Sequence, residues 1–304
     1  MKTEVCLGSI TLKNPVIAAS GTFGYGEEYA DIIDLSKIGA VVTKGITLEP
    51  RQGNPAPRIA ETPSGMLNAI GLQNVGVHEF VEKKLPFYRE RKVPCIVNIA
   101  GRRPEEYGEV ARILNKETGI TAIEVNVSCP NVGKSGLEFG VDPKGIAEVV
   151  KCVKNATTIP VIIKLSPNVT DIVTMAKAAV EAGADILSLI NTLVGMAVDI
   201  NTRRPKIANI TGGLSGPAIK PVGVRMVYAV AKEVNVPIIG MGGISCAEDA
   251  IEYLIVGATA VQVGTAIFYN PSVLESIVSG IENYCEQNGI DDVNELIGSI
   301  TFNK

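Results

Sequence analysis

Short runs of apolar, largely β-branched residues recur along the chain, separated by segments whose apolar residues fall at helical spacing. The runs are VIAAS (16–20), GAVVTK (39–44), CIVNIA (95–100), AIEVNVS (122–128), VIIKLS (161–166), DILSLINT (185–192), PIIGMGG (237–243) and AVQVGT (260–265). Between them, PEEYGEVARILNKE (104–117), PKGIAEVVKCVKN (143–155), DIVTMAKAAVEAG (171–183), VGVRMVYAVAKEV (222–234) and CAEDAIEYLIVG (246–257) carry the period of amphipathic helices. Pro143 and Pro221 stand near helix starts, and Gly183 and Gly257 just past helix ends, where each residue type is favoured. Apolar strands that alternate with helices predict a parallel sheet covered on both faces, and eight of them predict closure into a (β/α)8 barrel of the TIM type. An open, doubly wound sheet is the structural alternative. Against it, the glycines after the first run, at 21, 24 and 26 in GTFGYGEEY, do not match the dinucleotide-binding fingerprint.

The opening EVCLGSITL alternates about Gly8 and Ser9 and predicts an N-terminal β-hairpin plugging the closed end of the barrel. Segments 45–75 and 192–220 are longer than ordinary strand-to-helix connections and rich in Gly, Pro, Asn and Thr. Both follow strand ends, so they are expected to be functional loops at the C-terminal face. A chain of 304 residues would fit two average domains or one barrel of about 250 residues. The uninterrupted series of units predicts a single domain, 1–304.

Composition narrows the function classes. With 46% hydrophobic and 20% charged residues, the chain is an ordinary globular protein with a large core. Its net charge is -4 with Lys and Arg dispersed, which leaves no electrostatic footprint for nucleic acid. The local basic runs at 83–84, 89–92, 102–103 and 203–204 read as solvated faces. No apolar stretch approaches the roughly 18 residues of a spanning helix, and MKTEVCLGSITL lacks the pattern of a secretory signal, so no membrane role and a cytoplasmic location are expected. Cysteines stand at 6, 95, 129, 152, 246 and 285 without a C-x-x-C, and His78 is the sole histidine. A zinc or iron–sulfur site built by this chain is therefore not expected. Most of the thiols read as small buried hydrophobes, and His78 as the polar start of an amphipathic helix.

In a (β/α)8 barrel the carboxyl ends of the strands build the site. Those ends carry Ser20, Lys44, Asn98, Asn126, Lys164, Asn191 with Thr192, Gly242 with Gly243, and Gly264 with Thr265. A lone lysine at a strand end is ordinarily a solvated exit. Two lysines and three amides against an apolar interior each need a partner, and together they suit a planar, electron-accepting, partly anionic ligand. The glycine-rich turns GMGGIS and VGTAIF, in seventh and eighth position and each followed by a helical segment, suit a phosphate, although such turns also serve close packing.

These residues carry a resemblance. TKG (43–45), NAIGLQN (68–74), NVSCPN (126–131), INT (190–192), GLSGPAIKP (213–221), IIGMGGI (238–244) and VGTA (263–266) resemble, in order and over nearly the whole chain, the dihydroorotate dehydrogenases. The resemblance implies FMN, one per chain, at the top of the barrel and oxidation of dihydroorotate to orotate in pyrimidine synthesis. It implies FMN contacts at Ser20, Lys44, Gly45, Asn98, Asn126, Lys164, Ile190, Gly216, Gly242, Gly243, Gly264 and Thr265. It also implies substrate contacts at Lys44, Asn68, Ala69, Ile70, Gly71, Leu72, Asn126, Asn191 and Thr192, with Cys129 as the catalytic base. Lys164 would stand near the flavin edge where negative charge accumulates on reduction. The stretch NVGKSGLEFG (131–140) reads as a lid, or as a plain surface loop.

Asn126 and Cys129 are three apart, so both address one ligand only if the strand ends between them, and Pro130 helps to end it. A free thiol with a pKa of about 8.5 is mostly protonated at neutral pH, so activity is expected to rise toward alkaline pH. Within the family, residues 43–74 resemble the class 1B enzymes, which implies a partner subunit bearing FAD and a 2Fe–2S cluster that passes electrons to NAD, around a homodimer core within a heterotetramer. The fumarate-linked class 1A group is the alternative. From other classes, a sugar-phosphate isomerase or aldolase with Lys44 or Lys164 as Schiff base, or a non-catalytic flavin- or phosphate-binding module, also stays open.

Overall fold

The computed structural model describes residues 1–127 and 139–302. In chain order, its strands begin with β1 (Val5–Leu7), β2 (Ile10–Leu12), β3 (Val16–Ala18), β4 (Ala40–Val42), β5 (Ile59–Thr62), β6 (Gly65–Asn68), β7 (Cys95–Ile99) and β8 (Ala122–Asn126). They continue with β9 (Val161–Lys164), β10 (Ile186–Leu189), β11 (Leu193–Met196), β12 (Val198–Asp199), β13 (Arg204–Pro205), β14 (Thr211–Ser215), β15 (Ile238–Met241) and β16 (Ala260–Val263). The helices are α1 (Val77–Glu79), which runs through a π-helical stretch (Phe80–Lys84) into α2 (Leu85–Arg91), then α3 (Pro104–Leu114), α4 (Pro143–Lys154), α5 (Ile172–Glu181), α6 (Lys220–Ala231), α7 (Ala247–Ile255), α8 (Ala266–Tyr269) and α9 (Val273–Gln287).

Strands β3, β4, β7, β8, β9, β10, β15 and β16 close into a barrel in that order, β16 pairing in parallel with β3. All eight fall within the runs predicted above, and closure excludes the open sheet. Successive side chains of a strand point to opposite faces, so Ile123 and Val125 of β8 pack outward while Glu124 and Asn126 share the barrel interior. The outward residues are fully buried beneath the helices. Burying each such Val, Leu or Ile contributes about 1.5–3 kcal/mol. The predicted helix starts are capped: the side chain of Asp142 accepts from Gly145 N–H ahead of α4, and that of Asp171 from Val173 N–H ahead of α5.

The hairpin forms as predicted, with Val5, Leu7, Ile10 and Leu12 joining the main apolar core. It leads directly into β3 and so covers the end of the barrel opposite the strand carboxyl ends. The two long segments are more ordered than loops. From them come β5, β6, β11 and β14, which assemble into an antiparallel four-stranded sheet in the order β11-β14-β6-β5. Ladder pairs such as Leu193↔Leu214 and Leu214↔Leu67 join residues far apart in sequence. Period-2 patterning missed this rim sheet because its strands are short, three of the four contain Gly, and most are partly exposed.

The cysteines also differ from expectation. Of those described, Cys95 and Cys285 are buried, Cys152 is intermediate, and Cys6 and Cys246 are exposed. Cys6 lies on the outward face of the hairpin, and Cys246 is the N-cap of α7, so neither position turns inward. Burial pushes the Cys95 thiol well above its usual range, which makes it inert. His78 is exposed on α1. No helix among the described residues is long and apolar enough to cross a membrane. No group of three or more His, Cys, Asp or Glu among them is arranged to hold a metal ion.

Candidate active site

Parallel strands bring their carboxyl ends to one rim, and a cavity of about 760 Å³ opens there. Into it come all twelve residues expected to contact a cofactor, from Ser20 after β3 to Gly264 and Thr265 after β16. Asn68, Ile70, Gly71, Leu72, Asn191 and Thr192 line the same cavity. Ala69 does not: its side chain is buried with Leu67 and Ile207 in a small separate cluster. Cys129, Pro130 and 131–138 of the expected lid lie outside the described residues, whereas Phe139–Val141 forms a 3-10 turn.

Register explains the juxtapositions. Asn98 is the Cα partner of Glu124, and Asn126 of Lys164, which in turn partners Ser188. Strand β8 ends at Asn126. Its carbonyl accepts from the Tyr107 hydroxyl at 3.0 Å, and its side-chain oxygen from Asn191 Nδ2 at 3.3 Å. Asn68 Nδ2 donates to the Gly213 carbonyl at 3.3 Å, tying this amide into the rim sheet. Lys44 is half buried, and burial first, with repulsion from Arg58 adding, holds its ammonium below the usual lysine range against the attraction of Glu28.

The cavity floor holds a residue that strand-end reasoning missed. Glu124 is fully buried and accepts from Asn98 Nδ2 (2.7 Å), Ser188 Oγ (3.0 Å) and Gln262 Nε2 (2.7 Å), with Lys164 Nζ at 3.7 Å. The available signal was a period-2 pattern of polar residues inside an apolar strand, Glu124 then Asn126. Gln262 and Ser188 interrupt their strands in the same way.

At the seventh strand end, Gly242 and Gly243 have φ of 120° and 74°, a backbone that other residues rarely adopt. A Cβ at Gly243 would also come within 2.8 Å of Lys220 N, so only glycine turns the chain here. The Tyr253 hydroxyl braces this turn by donating to the Gly242 carbonyl at 2.8 Å. At the eighth, Thr265 Oγ1 bonds Ser215 Oγ at 2.7 Å, linking the barrel to the end of β14. Both turns line the cavity together with Lys44, Lys164 and the amides, and glycine-rich turns suit a phosphate.

Comparison with known proteins agrees with this constellation. The family model described as dihydroorotate dehydrogenase matches residues 2–284. The protein from Geotalea uraniireducens named dihydroorotate dehydrogenase B (NAD(+)), catalytic subunit, is 59% identical over 297 residues, covering 98% of this chain and 97% of its own. Proteins of the same name from Geotalea daltonii and Geobacter sulfurreducens are 60% and 57% identical with the same coverage. With a closed barrel, a cavity at its strand ends and a family match spanning that barrel, the chain belongs to the dihydroorotate dehydrogenase family.

Proposed function

We propose that the chain is the catalytic subunit of an NAD+-linked, class 1B dihydroorotate dehydrogenase, oxidising (S)-dihydroorotate to orotate in pyrimidine synthesis. The observation that carries this reading is the convergence of Lys44, Lys164, Asn68, Asn98, Asn126 and Asn191 on one cavity, alongside the names of its near full-length relatives. In this reading 1–304 works as one cytoplasmic domain holding one FMN. Two copies form the core of a heterotetramer whose other subunit bears FAD and a 2Fe–2S cluster.

The residues fit FMN. Lys164 supplies a buried cation, and Asn98 Oδ1 and Gln262 Oε1 are buried acceptors without partners on the cavity floor. Gly216, Gly242, Gly243, Gly264 and Thr265 would cradle the phosphate, with Ser20, Gly45 and Ile190 against the ring. When bound, FMN supplies the acceptor for the hydride leaving C6 of dihydroorotate.

The chain does the remainder. Asn68, Asn126, Asn191 and Thr192 hold the pyrimidine's carboxylate and imide groups, and the stretch from Ile70 through Leu72 completes the pocket. Lys44 offsets the substrate's negative charge. Cys129, as thiolate, removes the proton from C5. Holding reactants in this arrangement replaces a bimolecular encounter by an oriented one.

The test is anaerobic addition of dihydroorotate to the purified protein. A yellow protein that bleaches supports the reading. A colourless protein trapped by borohydride with a sugar phosphate indicates a Schiff-base barrel, and a yellow protein that does not bleach is a binding module. Co-purification from the native source with a subunit showing an iron–sulfur spectrum tests the class.

A further inference from the structure

We propose that Glu124 is a positioning residue that decides which way the amides of the cavity floor face, and that it thereby makes the floor a receptor for an imide N–H. The proposal rests on the reading above and adds residues to it.

Four strands other than its own present a group to this one carboxylate. Oε1 accepts from Asn98 Nδ2 of β7 at 2.7 Å and faces Lys164 Nζ of β9 at 3.7 Å. Oε2 accepts from Ser188 Oγ of β10 at 3.0 Å and from Gln262 Nε2 of β16 at 2.7 Å. A carboxylate has no hydrogen to give, so each amide must turn its NH2 toward it. The carbonyl ends then point away from Glu124, and both Asn98 and Gln262 line the cavity. Asn98 Oδ1 and Gln262 Oε1 are buried and have no hydrogen-bond partner. Each residue is only 1% exposed.

Buried amide oxygens are almost always paired, so these two are matched by a donor on whatever enters the cavity. Gly45 keeps the approach open: a Cβ there would stand 3.0 Å from Asn98 Oδ1. An acceptor beside a cation suits an imide edge, its N–H meeting one of these oxygens and a flanking carbonyl oxygen facing the Lys164 ammonium. Both an isoalloxazine ring and a dihydropyrimidine dione carry one.

Replacing Glu124 by Gln keeps shape but adds an NH2 that itself needs an acceptor. Asn98 or Gln262 must then reverse and aim a donor into the cavity, and Lys164 loses its counter-charge.

The experiment compares ligands with and without that N–H. If the flavin supplies it, the apo form of the parent binds FMN at least tenfold more tightly than 3-methyl-FMN, and Glu124→Gln brings the ratio toward one. If the pyrimidine supplies it, the FMN-loaded parent prefers orotate over 3-methylorotate, and that preference collapses instead. In either case the midpoint potential of the bound FMN rises in Glu124→Gln, because the charge of Lys164 is no longer offset. A merely structural role would not move that potential.

Should Glu124→Gln fail to fold, Gln262→Leu and Asn98→Leu each remove one oxygen and leave the Glu124–Lys164 pair, so the preference falls in the variant whose oxygen takes the N–H. Parental ratios for both ligand pairs in Glu124→Gln, or in Gln262→Leu and Asn98→Leu alike, overturn the proposal alone. A parent protein that binds neither flavin overturns the functional reading and this proposal with it.

Discussion

Floor and rim of the cavity reach the ligand space by different means. Asn98, Glu124, Lys164 and Gln262 sit inside or at the ends of regular barrel strands, and the register of the closed sheet fixes where they meet. Asn68 and Thr192 sit in or beside an antiparallel sheet assembled from two long insertions, whose outer positions Val194 and Met196 are 52% and 53% exposed. A change in the floor therefore disturbs the barrel itself, whereas a change in the rim alters one wall and leaves the core intact. The division separates a floor built into the closed barrel from a wall built on insertions.

The largest expected effect tests whether the chemistry separates from both. Cys129→Ala should lower flavin reduction by dihydroorotate about 10² to 10⁴-fold in stopped-flow traces, while FMN content stays parental. A near-parental rate would remove Cys129 from the role of base.

Next comes the floor. Lys164→Ala leaves the Glu124 carboxylate buried without its cation, and breaking such a pair costs about 3–5 kcal/mol. A lowered Tm together with loss of bound FMN is expected, and full retention of both would erase the distinction between floor and rim. At the rim, Asn68→Ala should raise the KM for dihydroorotate roughly 5- to 30-fold, the equivalent of losing about 1–2 kcal/mol of hydrogen bonding, at unchanged FMN content. Loss of FMN in that variant would show that the two regions act as one.

The smallest effect is a pH dependence. Burial depresses the ammonium of Lys44, so its charge is lost at lower pH than that of an ordinary lysine. Only the protonated form attracts an anion. The Kd for orotate should therefore climb as pH rises through that depressed value, opposite in sense to the gain in thiolate at Cys129. Lys44→Arg, which does not titrate, should flatten the climb, and an identical profile in the two proteins would exclude Lys44 as the titrating group.

The same division describes what could be read from sequence. All eight barrel strands, the hairpin and five of the helices were legible because burial writes itself as apolar runs and periods, as in CIVNI of β7. Strand-end residues were legible because architecture ties position to role, so Lys44, Asn98, Asn126 and Lys164 could be placed before any coordinates. Glu124 and Gln262 were not, since within a strand a single polar residue does not reveal what it faces across a barrel. Rim-sheet pairings such as Gly213↔Asn68 were hidden for another reason: they join segments 145 residues apart through short, glycine-rich strands with no period to detect.

The long reach from Glu124 to Gln262 bears on how the protein is made. The two residues are separated by 138 positions, and the strand bearing Gln262 is also the one that closes the barrel against β3. On a ribosome the amino-terminal strands emerge many seconds before β16, at typical synthesis rates of about 5–20 residues per second. During that interval the Glu124 carboxylate has only part of its ring of donors, and the sheet still has open edges. The cavity is thus completed late in the life of the nascent chain, and a polypeptide truncated before residue 260 would carry most of its lining residues yet lack the one strand that closes the barrel around them.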